Sequence, residues 1–338
     1  MGHVLLQFEF MSHSIVDVTI IGGGPVGLFA AFYAGQRGMS ARIIDSLPEL
    51  GGQLMALYPE KYIYDMPGFP KVLAKDLASA MADQGTQFAP EVVLDETATG
   101  IELIDGAYHL LTSKGNTFPT RTVIISAGAG AFSPTKIGVD RESDFEGKGI
   151  YYGVKQLSVF EGKRVAIVGG GDSAMDWCLA LHPIVKSLTL IHRRDQFRAH
   201  EDSVEKVFSL PIEKKLWCGV AELHGSDTLE AITIKNSQTQ ESEQIELDAL
   251  VVNIGFKSSL GPLKDWGFAV EKNQIPVTPP SFETSMSNVF AVGDVCTYEG
   301  KLKLIATGVG EAVSAICVAK TRLDPDAKLF PGHSSDRD

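Results

Sequence analysis

The sequence predicts an α/β protein of two Rossmann-like, three-layer dinucleotide-binding domains, the second inserted into the first. Two glycine-rich turns of one design, about 150 residues apart, carry this expectation. Gly22-Gly23-Gly24-Pro25-Val26-Gly27 follows the apolar run Val16 to Ile21, and Gly169-Gly170-Gly171-Asp172-Ser173-Ala174 follows Val165 to Val168. A third observation joins them. Each half has a late apolar strand that runs into small residues: Thr122 to Ser126 ahead of Ala127-Gly128-Ala129-Gly130, and Ala249 to Asn253 ahead of Ile254-Gly255.

The geometry of such a turn explains its composition. A buried parallel strand bends sharply into a helix, so the first glycine takes a backbone conformation that a Cβ disfavours. The second lets the chain approach a pyrophosphate, and the third, or an alanine in its place, lets helix and strand pack closely. Free N–H groups and the positive dipole end of the helix then face the phosphates. A glycine motif alone is weak evidence. Here both copies sit between a β-rich apolar run and a helical pattern, the context that gives the motif its meaning.

After the first turn, Leu28, Ala31, Phe32 and Ala34 recur at helical spacing up to a stop at Gly38. The next strand, Ala41 to Ile44, ends in Asp45, 23 residues beyond Gly22. At that spacing a carboxylate accepts hydrogen bonds from an adenosine ribose, whereas an acid at a strand end is otherwise a solvated cap. The second unit repeats the plan with a strand from Ser187 to Ile191. Further on, Asn288 to Val292 reads as a strand with Asp294 just past its end, and Ala306-Thr307-Gly308-Val309-Gly310-Glu311 opens a helix running to Lys320. The expected domains are therefore 12–128 together with 254–338, and 129–253 inserted between them. Residues 1–11 form an N-terminal extension ending on a second methionine, Met11.

At 338 residues, 44% hydrophobic and 21% charged, the chain has material for two cores of ordinary size. A formal net charge of −12 argues against nucleic acid as a partner. No apolar run reaches the roughly 18 residues of a membrane span, and the N-terminus lacks the pattern of a secretory signal. A cytoplasmic location without membrane association is expected. The four cysteines, Cys178, Cys218, Cys296 and Cys317, are nowhere closer than 21 residues, which leaves no C-x-x-C and no zinc-ligand spacing, hence no metal site. Cys178 shares a helical face with Ala174, Trp177 and Leu181, and Cys317 lies beside Val313 and Ile316, positions that suit small buried hydrophobes.

With the Ala291-Val292-Gly293-Asp294 stretch and the basic run His192-Arg193-Arg194 followed by Arg198, the two turns resemble the two-domain pyridine-nucleotide flavoprotein family that includes bacterial thioredoxin reductase. Within it, the segments Leu47 to Leu54, Ala56 to Asp65, Gly169 to Trp177, Ile191 to His200 and Gly293 to Gly300 are most similar to the thioredoxin-reductase-like class of ferredoxin–NADP(+) reductases. The similarity covers about residues 12 to 334. It implies FAD on the first turn, with Gly22, Gly24 and Gly27 on the pyrophosphate, Asp45 on the ribose and Asp294 on the ribityl chain. Gln53 belongs to the same site, and Thr307 and Gly308 start a helix whose N–H groups face the flavin pyrimidine edge. NADPH is implied on the second turn, held by Gly169, Gly171, Asp172 and Ser173. Where an NAD enzyme usually ends its second strand with an acid, this chain has Arg193, Arg194 and Arg198. Arginine forks match the 2′-phosphate of NADPH; a solvated basic surface is the other reading of that run.

A thioredoxin reductase carries a C-x-x-C dithiol just before its second nucleotide turn, but Gly149 to Gln156 contains no cysteine. Reduced flavin then hands its electrons directly to an external acceptor, with the cofactor carrying the chemistry and no acid or base residue required. By the same resemblance Tyr58 covers one face of the flavin ring. His333 covers the other, from the partner subunit of a homodimer. The implied activity is that of an FAD-dependent ferredoxin–NADP(+) reductase: hydride transfer between NADPH and FAD, and one-electron transfer between FAD and a ferredoxin or flavodoxin. Only five residues follow His333, fewer than in relatives, which leaves the cover of the outer flavin face open. Two other readings stay open: an NADPH-dependent flavoprotein reductase of quinone, oxygen or a small disulfide, and a non-catalytic sensor of NADPH and FAD.

Overall fold

The computed structural model describes residues 13–332, so residues 1–11, expected to be an N-terminal extension, and His333 lie outside the described residues. The chain divides into two compact units. One gathers the described residues up to Ala56, Tyr62–Ala131 and those from Ser258 onward; the other is Leu57–Lys61 with Phe132–Lys257. The sequence-based boundaries at 128 and 254 fall a few residues short of these junctions, and the short segment Leu57–Lys61 joins the inserted unit. The α-helices are α1 (Pro25–Gln36), α2 (Gln53–Ala56), α3 (Ala74–Gly85), α4 (Asp172–Leu181), α5 (Glu201–Ser209) and α6 (Ile305–Leu323). None among the described residues is long and apolar enough to cross a membrane.

In the first unit Glu91–Val93, Ala41–Ile44, Val16–Ile21 and Thr117–Ile125 form a parallel run in that spatial order. Thr117–Ile125 is long enough to serve two neighbours along its other edge. Its first half pairs antiparallel with Ala107–Thr112, Tyr108 opposite Thr120, and that strand hairpins to Ala98–Ile104. Its second half takes Val289–Ala291 in parallel, Phe290 opposite Ile124. The late strand therefore ends at the same edge as Val16–Ile21, and the Gly293–Asp294 turn emerges beside the first glycine turn, at the carboxyl ends of parallel strands where ligands of such sheets bind. α1 packs against both α3 and α6. Ile21, Ile44, Val123 and Ile125 point instead into a core shared with Trp266, Phe268, Ile275 and Val295.

The second unit has a five-stranded parallel sheet in the order Ile150–Tyr151, Ala249–Asn253, Arg164–Gly169, Ser187–His192, Glu213–Leu216. Alternation along the central strand assigns its two faces. Val165 and Ile167 join Trp177, Cys178, Leu181 and Val207 in a core under α4 and α5. Ala166 and Val168 join Ile232, Ile234 and Leu223 in another, under the antiparallel sheet Cys218–His224, Ala231–Asn236, Ser242–Glu246. The third layer here is β-sheet, and largely exposed strands such as Ser242–Glu246 carry a weaker sequence signal than the runs beneath them.

Candidate functional site

In the first unit, the three glycines expected to bind phosphate do different work. Gly22 has φ +107°, and a Cβ on it would stand 2.6 Å from Ser126 O; one on Gly27 would stand 1.9 Å from Gly22 O. Gly22 is required by its positive φ and by the close approach of the neighbouring strand's end, Gly27 by the close packing of helix on strand. Gly24 is different. Its φ of −75° and ψ of 179° suit any residue, and the nearest atom to a Cβ there is Gly52 Cα at 3.8 Å. It is the N-cap of α1, no side chain caps that helix, and Pro25 follows it. Uncapped starts also occur at α3 and α5. What sets α1 apart from these two is an N-cap glycine with open space in front of free N–H groups, a geometry that suits an anionic ligand.

Asp45 closes the same turn from the end of its strand. Oδ2 accepts the N–H of Gly23 at 2.5 Å and Oδ1 that of Leu47 at 2.8 Å. Burial pushes its carboxyl up from the ordinary value, against the lowering effect of the N–H groups of Leu47, Gly23 and Ser46. Each carboxylate oxygen has a second lone pair, so the residue can shape the turn and still accept ribose hydroxyls. Gln53, the first residue of α2, places Nε2 2.9 Å from where a Cβ of Gly128 would lie, which sets its amide against the small-residue end of the sheet.

The remaining first-unit residues converge on Val26. A Cβ on Gly308 would lie 2.5 Å from Val26 Cγ2 and 3.1 Å from Gly293 Cα, so the first turns of α1 and α6 and the Gly293–Asp294 turn meet with no room between them. Gly293 holds φ +78°, and Asp294 beside it is half-buried. Thr307 lies in the first turn of α6, whose N-terminus no side chain caps. Gly22, Gly24, Gly27, Asp45, Gln53, Asp294, Thr307 and Gly308 are thus all at one end of the first unit's sheet. The cradle at Gly24, the free helix starts and the acids at Asp45 and Asp294 fit FAD.

The second unit repeats the first turn closely. A Cβ on Gly169 would lie 2.4 Å from Asn253 O, and one on Gly170 2.2 Å from the His192 ring, whereas Gly171 faces open space with nothing within 4 Å. His192 is therefore a packing wall of the turn as well as part of the basic run. Its ring lies tilted against Phe197, the centroids 4.7 Å apart, and its Nε2 lies 3.0 Å from Gln196 O. Burial and the charges of Arg193 and Arg194 lower its pKa, with the Gln196 carbonyl opposing. The basic loop is tied to the turn at two points: Arg198 N–H donates to Gly170 O at 2.8 Å, and His200 N–H to Asp172 Oδ1 at 2.9 Å. Arg193, Arg194 and Arg198 are exposed beside the open Gly171. Those residues fit a nucleotide that carries an extra phosphate.

The place of Lys61 beside this site was not legible in the sequence. Lys61 Nζ pairs with Asp176 at 2.8 Å, reaches Ser173 Oγ at 3.4 Å, and lies 5.4 Å over the Trp177 ring. Tyr58, expected on the flavin ring, packs on the core beneath α4, with Lys61 Nζ 6.0 Å from its centroid. The four cysteines are free and buried. Burial raises the Cys178 thiol to about 12 and, with the Glu311 carboxylate, the Cys296 thiol to about 12.

Two open glycine cradles, each ahead of a helix at the end of a parallel strand, define a protein with two dinucleotide sites. The chain belongs to the pyridine nucleotide-disulphide oxidoreductase family, which matches residues 16–312. It is 51% identical to ferredoxin–NADP reductase 2 of Shouchella clausii over 94% of this chain and 97% of that one. To ferredoxin–NADP reductase 2 of Bacillus subtilis it is 49% identical, over 95% and 96%. Among solved structures, thioredoxin reductase of T. acidophilum superposes with a TM-score of 0.78 at 26% identity, over 92% of this chain and 99% of that one. Lactococcus lactis thioredoxin reductase does so with a TM-score of 0.76 at 27%, over 90% and 97%.

Proposed function

We propose that the protein is a homodimeric, cytoplasmic, FAD-containing ferredoxin–NADP(+) reductase. The observation that carries this is a pair of open glycine cradles in a chain whose cysteines are all buried: two cofactors and no dithiol to relay electrons between the flavin and an acceptor. The names of relatives about half identical over nearly the whole chain support the choice of acceptor.

FAD held in the first unit would supply a two-electron acceptor for hydride from the nicotinamide and a one-electron donor to a carrier. The balance is one NADPH and two oxidised carriers giving NADP(+), a proton and two reduced carriers, in either direction. Gly24 and the N-terminus of α1 receive the FAD pyrophosphate, Asp45 its ribose and Asp294 its ribityl hydroxyls. Gly171 and the start of α4 receive the NADPH pyrophosphate, and the loop with Arg193, Arg194 and Arg198 its 2′-phosphate. Tyr58 and His333 are assigned to the flavin faces by motif similarity. A ferredoxin or flavodoxin is the carrier.

The test is anaerobic. FAD-loaded protein is reduced with NADPH, then mixed with oxidised ferredoxin, a quinone or thioredoxin. Ferredoxin should be reduced fastest, by about tenfold or more. Flavin that NADPH does not bleach would turn the reading to a sensor, and faster turnover with quinone or thioredoxin would turn it to another reductase.

A further inference from the structure

The FAD assignment gives no role to a buried carboxylate of the first unit, one turn of α6 beyond Gly308. Glu311 is 3% exposed. Its Oε2 accepts the backbone N–H of Gly293 at 2.7 Å. Its Oε1 accepts Tyr298 Oη at 2.6 Å and the Lys301 ammonium at 2.5 Å, and the Lys301 side chain is itself only 5% exposed. Cys296 Sγ lies 3.6 Å from Oε2. One carboxylate thus gathers the turn at Gly293, the loop after it and the helix that follows.

A buried ion pair is a poor device for stability alone, because well-packed apolar residues of similar volume often serve as well or better. The Gly293 N–H shows what the pair holds. Val292 N–H is taken by Ile125 O, the last backbone bond of that strand, so the next N–H lies beyond sheet pairing and depends on a side chain. Without Glu311 it would be a buried donor with no acceptor. Gly293 is also the residue against which a Cβ on Gly308 would press at 3.1 Å, and it precedes Asp294.

We propose that Glu311 is a positioning residue of the FAD site. It fixes the Gly293–Asp294 turn against α1 and α6 so that Asp294 is held in place for the cofactor, and Lys301 is the counter-charge that permits a carboxylate there. The proposal rests on the FAD reading of the first unit.

Its test is FAD binding to the apoprotein by fluorescence titration, with NADPH affinity as a control and thermal melting as the check on folding. The double variant Lys301→Met, Glu311→Leu removes the pair and the acceptor at similar volume; Lys301→Met, Glu311→Gln removes the charges but keeps an acceptor for Gly293. The Leu variant should bind FAD about tenfold or more weaker and the Gln variant within about threefold of wild type, with NADPH affinity unchanged in both. A purely structural role would lower melting temperature without separating the two FAD affinities. Wild-type FAD affinity in a folded Leu variant overturns the proposal. Should that variant not fold, Tyr298→Phe replaces it: it removes one donor from the same carboxylate, about threefold weaker FAD binding is expected, and unchanged binding overturns the proposal. Wild-type apoprotein that takes up no FAD sinks the FAD reading and this proposal with it, while normal wild-type uptake with unaffected variants sinks this proposal alone.

Discussion

Asp172 Oδ1 accepts the backbone N–H of His200 at 2.9 Å, so the first residue of α4 is tied to the end of the loop that carries Arg193, Arg194 and Arg198. The carboxylate acts here as an anchor for the loop that carries the three arginines. Two effects of Asp172→Ala oppose one another. Loss of the anchor loosens the basic loop, by about 1 kcal/mol for one exposed bond, while loss of a negative charge next to phosphates favours their binding. Since the anchor acts only through the arginines, NADPH affinity should fall roughly fivefold and NADH affinity little. Calorimetric titration of both nucleotides checks this, and tighter NADPH binding would mean that the charge outweighs the anchor.

Gly24 and Gly27 are separated by two residues and should fail in opposite ways. A Cβ on Gly24 meets nothing closer than 3.8 Å, whereas one on Gly27 would stand 1.9 Å from Gly22 O. Gly24→Ala should therefore leave the melting temperature of the apoprotein within a few degrees of wild type and weaken FAD binding by about tenfold or more, since the methyl group occupies the pyrophosphate's approach. Gly27→Ala should lower apoprotein stability by about 1 to 3 kcal/mol or more through overpacking. Full flavin content in a folded Gly24→Ala protein would remove FAD from the first turn.

The second cradle predicts a cofactor preference. Arg193, Arg194 and Arg198 can meet a dianionic phosphate that only NADPH carries, and an arginine–phosphate contact is among the stronger hydrogen bonds. Replacing any one by Gln should weaken NADPH by roughly tenfold and leave NADH kinetics almost unchanged. Equal losses for both nucleotides would assign the arginines to the fold.

Both glycine turns were legible in the sequence because their constraint is local: a strand end, a sharp bend and a helix start leave a few positions where a Cβ collides, within six residues. Asp45 was legible for the same reason, its spacing from Gly22 being set by one βαβ unit. Sequence gave no sign that Asp45 takes N–H bonds from Gly23 and Leu47, since an acid at a strand end reads the same with or without them. Glu311 and Lys301 were missed because each looks like an ordinary helix or loop charge; their burial follows from α6 folding back on the loop before it, where Glu311 meets Gly293 N–H, Tyr298 and Lys301. Leu57–Lys61 follows α2 of the first unit in sequence, so its place on the second unit's core depends on tertiary contacts such as Lys61 with Asp176 that no periodicity records.

The cysteines should be chemically silent. Burial raises the thiols of Cys178 and Cys296 to about 12, so neither is ionised near neutral pH. Native protein at pH 8 should react with iodoacetamide only as fast as it unfolds, and serine variants that fold should still pass electrons from NADPH to the carrier. The sign of the pH effect follows from linkage. Thiols whose folded pKa exceeds the unfolded value near 9 contribute stability that is complete below pH 9 and is lost as the pH rises toward 12. Alkaline melting curves should show that loss, reduced in a Cys178→Ala variant.

Arg37 ends α1 and is 8% exposed, yet its guanidinium faces the far end of the chain: Nη2 donates to Lys328 O at 2.6 Å and Nη1 to Leu329 O at 3.1 Å. The backbone is thereby held four residues ahead of His333, the side chain assigned to the outer flavin face. Arg37→Met keeps the aliphatic stem and removes both bonds, leaving two carbonyls for water to satisfy. Local opening should then cost about 1 to 2 kcal/mol less, and trypsin should cut after Lys328 about tenfold faster than in wild type. FAD content should not change, because the cradle at Gly24 and the acids at Asp45 and Asp294 are untouched. If His333 covers the flavin, the variant and a protein truncated after Gly332 should shift the rate of flavin reduction by NADPH in the same direction, as read by stopped-flow absorbance. Faster proteolysis with an unchanged reduction rate in both would leave Arg37 as an anchor of the C-terminal segment and remove His333 from the flavin site.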